Sequence, residues 1–319
     1  MTQSAGTMLE AAEDYLDLRR KLGFQIGIEA AELRRFARFA DRIGHRGPIT
    51  TELAVRWATL PDSSRQYHAR RLDVVRRFAR HRASHDAATE IPPERLLGSS
   101  VHRRQEPHIY SATEISKLLK IAAQLGPKNG LRGETYRTLL GLLAATGMRI
   151  SEALALRREN IDLESGTITI QKTKVYRARI VPLHGTVIEE LRQYVRRRDR
   201  YHRPRVPDAF FLTERGTSLK YLPVRLTFRK LTRELGWQRG RNGRLPRIHD
   251  LRHTFAVRRL IRWYEEEQNI DNKTAALATY LGHTRVTHTY WYLTGVPELL
   301  ALTARRFERY AAQAVAGDA

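Results

Sequence analysis

Apolar residues recur at helical spacing through the first part of the chain. Between Met8 and Leu22 the residues Leu9, Ala12, Tyr15, Leu16 and Leu22 fall near one stripe, and between Ile28 and Ile43 the residues Leu33, Phe36, Phe39 and Ala40 do the same. Thr50-Thr51-Glu52 opens a third helix that ends near Leu60-Pro61, and Asp62-Ser63-Ser64 caps a fourth running to about Ala83. From Ser84 to Pro107 the periodicity fails, and Pro92, Pro93, Gly98, Ser99, Ser100 and Pro107 punctuate the segment. Beyond it Ser111 and Glu114 form a capping box that starts a helix through Leu125. A further helix spans Gly133 to Thr146, and Ile150 to Arg157 begins another. The period then changes to two. Thr167 to Ile170 and Arg179 to Leu183 read as short strands flanking a basic turn, Lys172 to Arg177, with Ala209 to Leu212 a possible third strand. Helices resume from about Gly185 and again from Leu222. The pattern predicts a helical domain over residues 1–98, a linker over 99–107, and a second domain over 108–319 that is mainly α with a small antiparallel β-sheet.

Length agrees with this division, since 319 residues exceed one average domain of ~150 about twofold. Charge adds a partner. The chain carries 57 basic against 34 acidic residues, a net charge of +23, of which +4 falls in residues 1–100 and +19 in 101–319. Such an excess seeks a polyanion, either nucleic acid or an anionic membrane surface. Only nine of the basic residues are lysine, and arginine's planar fork suits phosphate and guanine edges. The absence of cysteine excludes disulfides, thiolate zinc fingers, iron–sulfur clusters and a cysteine nucleophile. No stretch approaches ~18 apolar residues, and the first ten residues lack a basic start followed by an apolar run. The expectation is a cytoplasmic protein that does not cross a membrane. On the fourth helix Arg70, Arg71 and Arg77 have few carboxylates beside them, which makes phosphate contact a reading to set against a solvated face.

Five segments could carry chemistry: Thr146-Gly-Met-Arg149-Ile-Ser-Glu152, the turn around Lys174, His249-Asp-Leu-Arg252-His253-Thr-Phe, Leu281-Gly-His283-Thr, and Tyr290-Trp-Tyr292. Singly, each has an ordinary explanation. Arg149 and Glu152 could be a helix ion pair, His283 after Gly282 could close a helix, and the aromatics could pack in a core. His249, His253 and His283 could also supply three nitrogen ligands to a metal, but the glutamate of the HExxH pattern is absent, and the metal reading is set aside.

Taken together, the segments resemble the tyrosine recombinases, the family of phage integrases and related site-specific recombinases. The resemblance covers nearly the whole chain. It rests on Ala-Thr-Gly-Met-Arg-Ile-Ser-Glu-Ala-Leu, His-Asp-Leu-Arg-His-Thr-Phe-Ala, Leu-Gly-His-Thr, and a tyrosine nine residues after that histidine, all in the family's order. The resemblance implies a two-domain, C-shaped clamp around double-stranded DNA. It implies Arg149 as the first catalytic arginine, His249 and Arg252 as the HxxR pair, His283 as the third-motif histidine, and Tyr292 as nucleophile. Tyr290 and Tyr292 lie about 200° apart on a helix, so only one can face the arginines, and the family spacing selects Tyr292. The distance back from Pro182 selects Lys174 over Lys172 as the lysine of the set. Glu152 is expected to hold Arg149, and Lys172, Arg177, Arg244, Arg247 and Arg285 to contact phosphate alongside the fourth-helix arginines named above.

These residue types suit attack by a tyrosine hydroxyl on a phosphodiester. The transition state gathers negative charge on non-bridging oxygens, which two arginines and a histidine stabilise. A lysine can protonate the leaving 5′ oxygen, and the base for the tyrosine is assigned to His249. The 3′-phosphotyrosyl bond conserves the phosphodiester energy, so no ATP, metal or other cofactor is expected. The family implies strand exchange through a Holliday junction in a tetramer on paired sites, as a homo-oligomer or beside sister recombinases, and the wording around Tyr292 looks like integrases of bacterial mobile elements. The competing readings are an inert architectural DNA-binding factor and a type IB-like topoisomerase. The second would relax plasmid of any sequence, whereas a recombinase acts at defined sites.

Overall fold

The computed structural model describes residues 6–24, 26–100, 106–171, 178–240, 243–266, 268–283, 285–295, 299–305 and 308. The chain divides into two compact units, residues 1–104 and 105–319.

In the first unit, α1 (Met8–Lys21), α2 (Gly27–Arg42), α3 (Thr51–Thr59) and α4 (Arg65–Arg82) pack around Leu16, Leu33, Phe36, Trp57, Leu72 and Phe78. The caps of α3 and α4 are those the sequence announces, Thr50 and Ser64, and α1 is closed by a capping box of Thr7 with Glu10. The aperiodic stretch after α4 is not free chain up to residue 98. Glu90 N–H donates to the Ile49 carbonyl at 2.8 Å, the Glu90 carboxylate accepts from Thr51 N–H at 2.8 Å, Thr89 is buried, and Leu97 packs on the core.

In the second unit, α5 (Ala112–Ala123) is followed by α6 (Arg132–Thr146), α7 (Ile150–Leu154) and a 3-10 turn over residues 158–160. Then come β1 (Ile161–Asp162), β2 (Thr167–Ile170) and β3 (Arg179–Pro182). The helices α8 (Gly185–Tyr201), α9 (Tyr221–Glu234), α10 (Ile248–Glu265), α11 (Ile270–Leu281) and α12 (Thr287–Gly295) complete it. The central helix is α6, buried on several faces through Tyr136, Leu139, Leu140, Leu142 and Leu143, and flanked by α5, α8 and α10. Pro223 sits in the first turn of α9, where a missing N–H costs little.

The antiparallel sheet has the order β1-β2-β3, with Ile168 opposite Val181, both buried. Its third member differs from the expected one. Ala209 to Leu212 makes only isolated bridges, Arg157 to Ala209 and Leu212 to Ser218, while the two-residue β1 takes the edge. Phe210, Phe211 and Leu212 are all buried in succession, so this apolar run lacks the alternation of a half-buried strand.

The helix α10 joins two apolar clusters. Ile248 and Leu251 belong to the core around α6, whereas Ala256, Val257 and Leu260 meet Leu277, Leu281, Tyr292 and Leu299. Complete burial of Leu299 favours the fold by about 2 kcal/mol. No described helix is long and apolar enough to cross a membrane.

Candidate active site

Two helix ends meet at the centre of the site. Gly147, at φ +62°, ends α6 in the left-handed region, and the reversal places Arg149 at the start of α7. Gly282, at φ +66°, ends α11 in the same way and delivers His283. The last carbonyls of α11 have no partners within the helix and carry its partial negative charge. Guanidinium groups fill that role. Arg149 donates to Gly282 O at 2.7 Å and to Leu281 O at 3.3 Å. Arg252 donates to Leu281 O at 2.6 Å and to Gly147 O at 2.9 Å. A third arginine, Arg179 at the start of β3, donates to Tyr280 O at 2.7 Å.

One carboxylate serves two of these cations. Glu152 accepts from Arg149 NH1 at 2.9 Å and from the two terminal nitrogens of Arg179 at 2.9 and 2.8 Å, and it also caps the Arg149 backbone N–H at 2.9 Å. Burial pushes the Glu152 carboxyl up, but the hydrogen bonds from Arg179 and Arg149 outweigh it and hold the group below its ordinary range. Among the described residues, these three guanidinium charges share one carboxylate, an excess of two positive charges over that anion. Burial and the neighbouring Arg149 push Arg252 down to about 10, against the opposing pull of Tyr292 and Glu152. A site with this surplus is built to receive an anion.

The nucleophile candidate approaches from α12. Tyr292 is 2% exposed, and its hydroxyl lies 2.8 Å from Nδ1 of His253, the residue after Arg252 on α10. Tyr290, two residues earlier, is 39% exposed and donates its hydroxyl to Asp271 at 3.3 Å. His283 meets Thr289 Oγ1 at 2.7 Å, tying the loop after α11 to α12. His249, in the first turn of α10, is open on one side and lies edge-on to His253 with ring centroids 4.7 Å apart. The protein behind it, then Arg252, Arg247 and Arg149, bring its pKa down to about 4. His253 is pushed further, to about 2, by burial first and then by His249, Arg247, Arg252 and His283. Both histidines are therefore neutral at pH 7.

The structure thus gathers Arg149, Glu152, His249, Arg252, His283 and Tyr292 in one unit. Lys174, with Lys172 and Arg177, lies outside the described residues. Two residues went unassigned in the sequence. Arg179 could have been noticed as an arginine opening a short apolar strand, and His253 as a second histidine beside Arg252. The sequence assigned the base to His249, but the hydrogen bond at the Tyr292 hydroxyl is made by His253. That outcome follows from helix geometry, because positions 249 and 253 share a face and the later one lies a turn deeper. Among the described residues no group of three or more His, Asp or Glu side chains could hold a metal.

The expected DNA contacts divide. Arg70 is exposed, as are Arg244 and Arg285, and Arg77 is exposed while pairing with Glu29 at 3.1 Å. Arg247 is exposed and pairs with Asp250 at 2.8 Å, where it caps α10. Arg71 is a correction. Its guanidinium is buried over the Trp57 ring at 3.8 Å, with Glu32 3.6 Å away, so it faces the core of the first unit rather than a phosphate. Arg198, within the basic run of α8, is likewise turned inward, onto Phe210 O at 3.0 Å and Asp199.

Comparison with known proteins gives concordant matches. The profile described as "Phage integrase family" matches residues 110–296. A Sinorhizobium fredii protein named as an integrase/recombinase is 38% identical over 308 residues, covering 95% of this chain and 98% of its own. The tyrosine recombinase XerC of Chlamydia caviae is 30% identical over 224 residues, covering 70% of this chain and 65% of its own. In architecture the chain is similar to the Tn1549 transposon integrase solved with transposon right-end DNA, at a TM-score of 0.67 and 16% identity over 96% of this chain and all of that one.

Proposed function

The chain belongs to the phage integrase family and is a tyrosine site-specific recombinase, and from that premise we propose that it cuts and rejoins double-stranded DNA through Tyr292. The observation that carries this reading is the convergence of Arg149 and Arg252 on the end of α11, with the Tyr292 hydroxyl held at the residue next to Arg252.

A scissile phosphate seated against Arg149 and Arg252 supplies the anion that the cluster's surplus positive charge favours. As Tyr292 Oη attacks phosphorus, charge grows on the non-bridging oxygens, and guanidinium donors already fixed by helix-end carbonyls need little reorganisation to stabilise it. His249 and His283 are further donors to those oxygens. Lys174 protonates the departing 5′ oxygen. The 3′-phosphotyrosyl bond then keeps the energy of the broken linkage, and a 5′ hydroxyl from the partner duplex reverses the step.

Around this chemistry, the units at 1–98 and 108–319, joined over 99–107, each bind the duplex, and four protomers exchange strands between two sites through a Holliday junction. Arg70, Arg77, Arg244, Arg247 and Arg285 contact phosphates, with Lys172 and Arg177 on the turn that carries Lys174. These contacts position the protein and leave base reading to other residues. The setting is the bacterial cytoplasm, on nucleoid DNA, as part of a mobile element.

The test is capture of covalent adducts on a nicked suicide duplex. Tyr292→Phe abolishes them and Tyr290→Phe retains them. The reverse pattern overturns the assignment.

A further inference from the structure

We propose that His253 is the general base that takes the proton of Tyr292 during strand cleavage and returns it on religation, an inference that rests on the recombinase reading. The Nδ1 of His253 lies 2.8 Å from the phenolic oxygen, within the range required of a general base in contact with its acid. The two rings meet at 65° with centroids 5.5 Å apart, and the bond is enclosed, since Tyr292 is 2% exposed and His253 only partly so. In that enclosure bulk water has little access to the phenol, so a side chain must receive its proton.

The charges around His253 explain why the transfer waits for substrate. His249, Arg252 and Arg247 face it from α10 and its cap, and His283 from the loop after α11. In the free site a proton moved onto His253 would join a cluster already in cationic surplus, which disfavours the imidazolium that the transfer would form. The depressed pKa of His253 expresses the same balance. A phosphodiester bound by Arg149 and Arg252 brings the missing negative charge. It stabilises an imidazolium at His253 at the moment when Arg252 stabilises the developing phenolate. Nucleophile activation is thereby linked to occupancy of the site.

The step balances as follows. The Tyr292 O–H proton passes to Nδ1 of His253, whose ring proton sits on Nε2. The Oη–P bond forms as the P–O5′ bond breaks, and the 5′ oxygen is protonated by a separate acid. On religation the 5′ hydroxyl attacks phosphorus and returns its proton to the conjugate base of that separate acid, the Oη–P bond breaks, and the departing phenolate recovers its proton from His253.

The experiment uses duplexes enriched from a random-sequence library as covalent adducts of the full wild-type chain, then resynthesised as nicked suicide substrates with either oxygen or sulfur at the scissile 5′ bridging position. A sulfur leaving group needs no acid, so it rescues a missing acid but not a missing base. His253→Gln keeps an acceptor for the phenol while removing the basic nitrogen. The expected result is adduct formation slowed by about 100-fold or more on both substrates, with DNA affinity and melting temperature retained. The variant's rate should also climb with hydroxide concentration where the wild-type rate is flat. If His253→Gln cleaves as fast as the wild type, or if sulfur restores it, His253 is not the base. If the wild type yields no adducts, or Tyr292→Phe still forms them, the recombinase reading itself falls, a result distinct from failure at His253.

Discussion

Arg179 holds Glu152 by both carboxylate oxygens, at 2.9 and 2.8 Å, while the same carboxylate takes a hydrogen bond from Arg149 at 2.9 Å. An arginine on β3 therefore fixes the orientation of an arginine on α7, residues thirty positions apart, through one shared anion. With side chains 9%, 8% and 18% exposed, the three groups have little water to replace a lost partner.

Removing the shared anion should therefore be costly. Glu152→Ala leaves two guanidinium groups facing each other without compensation, and we expect a loss of about 3 kcal/mol in urea unfolding. Glu152→Gln, which keeps an acceptor, should lose less stability but still misplace Arg149 and slow adduct formation. Equal unfolding midpoints for wild type and Glu152→Ala would contradict the network.

Gly282 offers a separate probe of arginine placement. Its φ of +66° disfavours any side chain, and a Cβ there would lie 2.8 Å from Arg179 NH1 and 3.4 Å from Arg149 NH1. Gly282→Ala should cost about 1–2 kcal/mol through the left-handed backbone alone. Displacement of the Arg179 guanidinium, and through Glu152 of Arg149, should also lower the cleavage rate while DNA affinity changes little, measured by gel shift beside a suicide-substrate time course. Unimpaired cleavage would show that the arginines tolerate movement.

Acid should weaken the fold through the histidines. His249 and His253 have folded pKa values of about 4 and about 2, both below the unfolded value of ~6.5. As pH falls below that unfolded value, the unfolded chain binds protons that the folded chain refuses, so stability declines from about pH 6.5 to about pH 4 through His249 and on to about pH 2 through His253, and is unaffected by these groups above that window. Glu152, whose folded pKa is lowered, adds a loss at still lower pH as its carboxylate is protonated. Urea midpoints at pH 7 and pH 5 measure the histidine contribution, and His253→Gln should narrow the gap between them.

Arg70 and Arg71 are neighbours with opposite roles. Exposed Arg70 should contribute to phosphate binding, so Arg70→Ala lowers affinity for any duplex and reduces the salt slope by about 1. Buried Arg71 stacks on Trp57, and Arg71→Ala should instead lower the melting temperature of the chain, with the salt slope unchanged. A change of slope in Arg71→Ala would place its guanidinium on DNA after all.

The sequence alone determined the helical periodicity, the caps at Thr50, Ser64 and Ser111, the two strands flanking residues 172–177, and the motif set from Arg149 to Tyr292. These are legible because caps and apolar stripes act within a few residues, and because the chemistry of phosphoryl transfer restricts which side chains can stand at the motif positions. Tertiary structure alone decided the rest. Arg71 sits beside the apolar stripe of α4, and nothing local says that Trp57 on another helix will take its guanidinium inward. The edge strand fell to Ile161–Asp162, too short to show a period, because its register is set by β2. His253 and Tyr292 are 39 positions apart, and Arg179 and Glu152 are 27. Which nitrogen meets which oxygen depends on how α7, β3, α10, α11 and α12 pack, and a shift of α10 by about one turn along its axis would exchange the histidine at the hydroxyl without altering any motif.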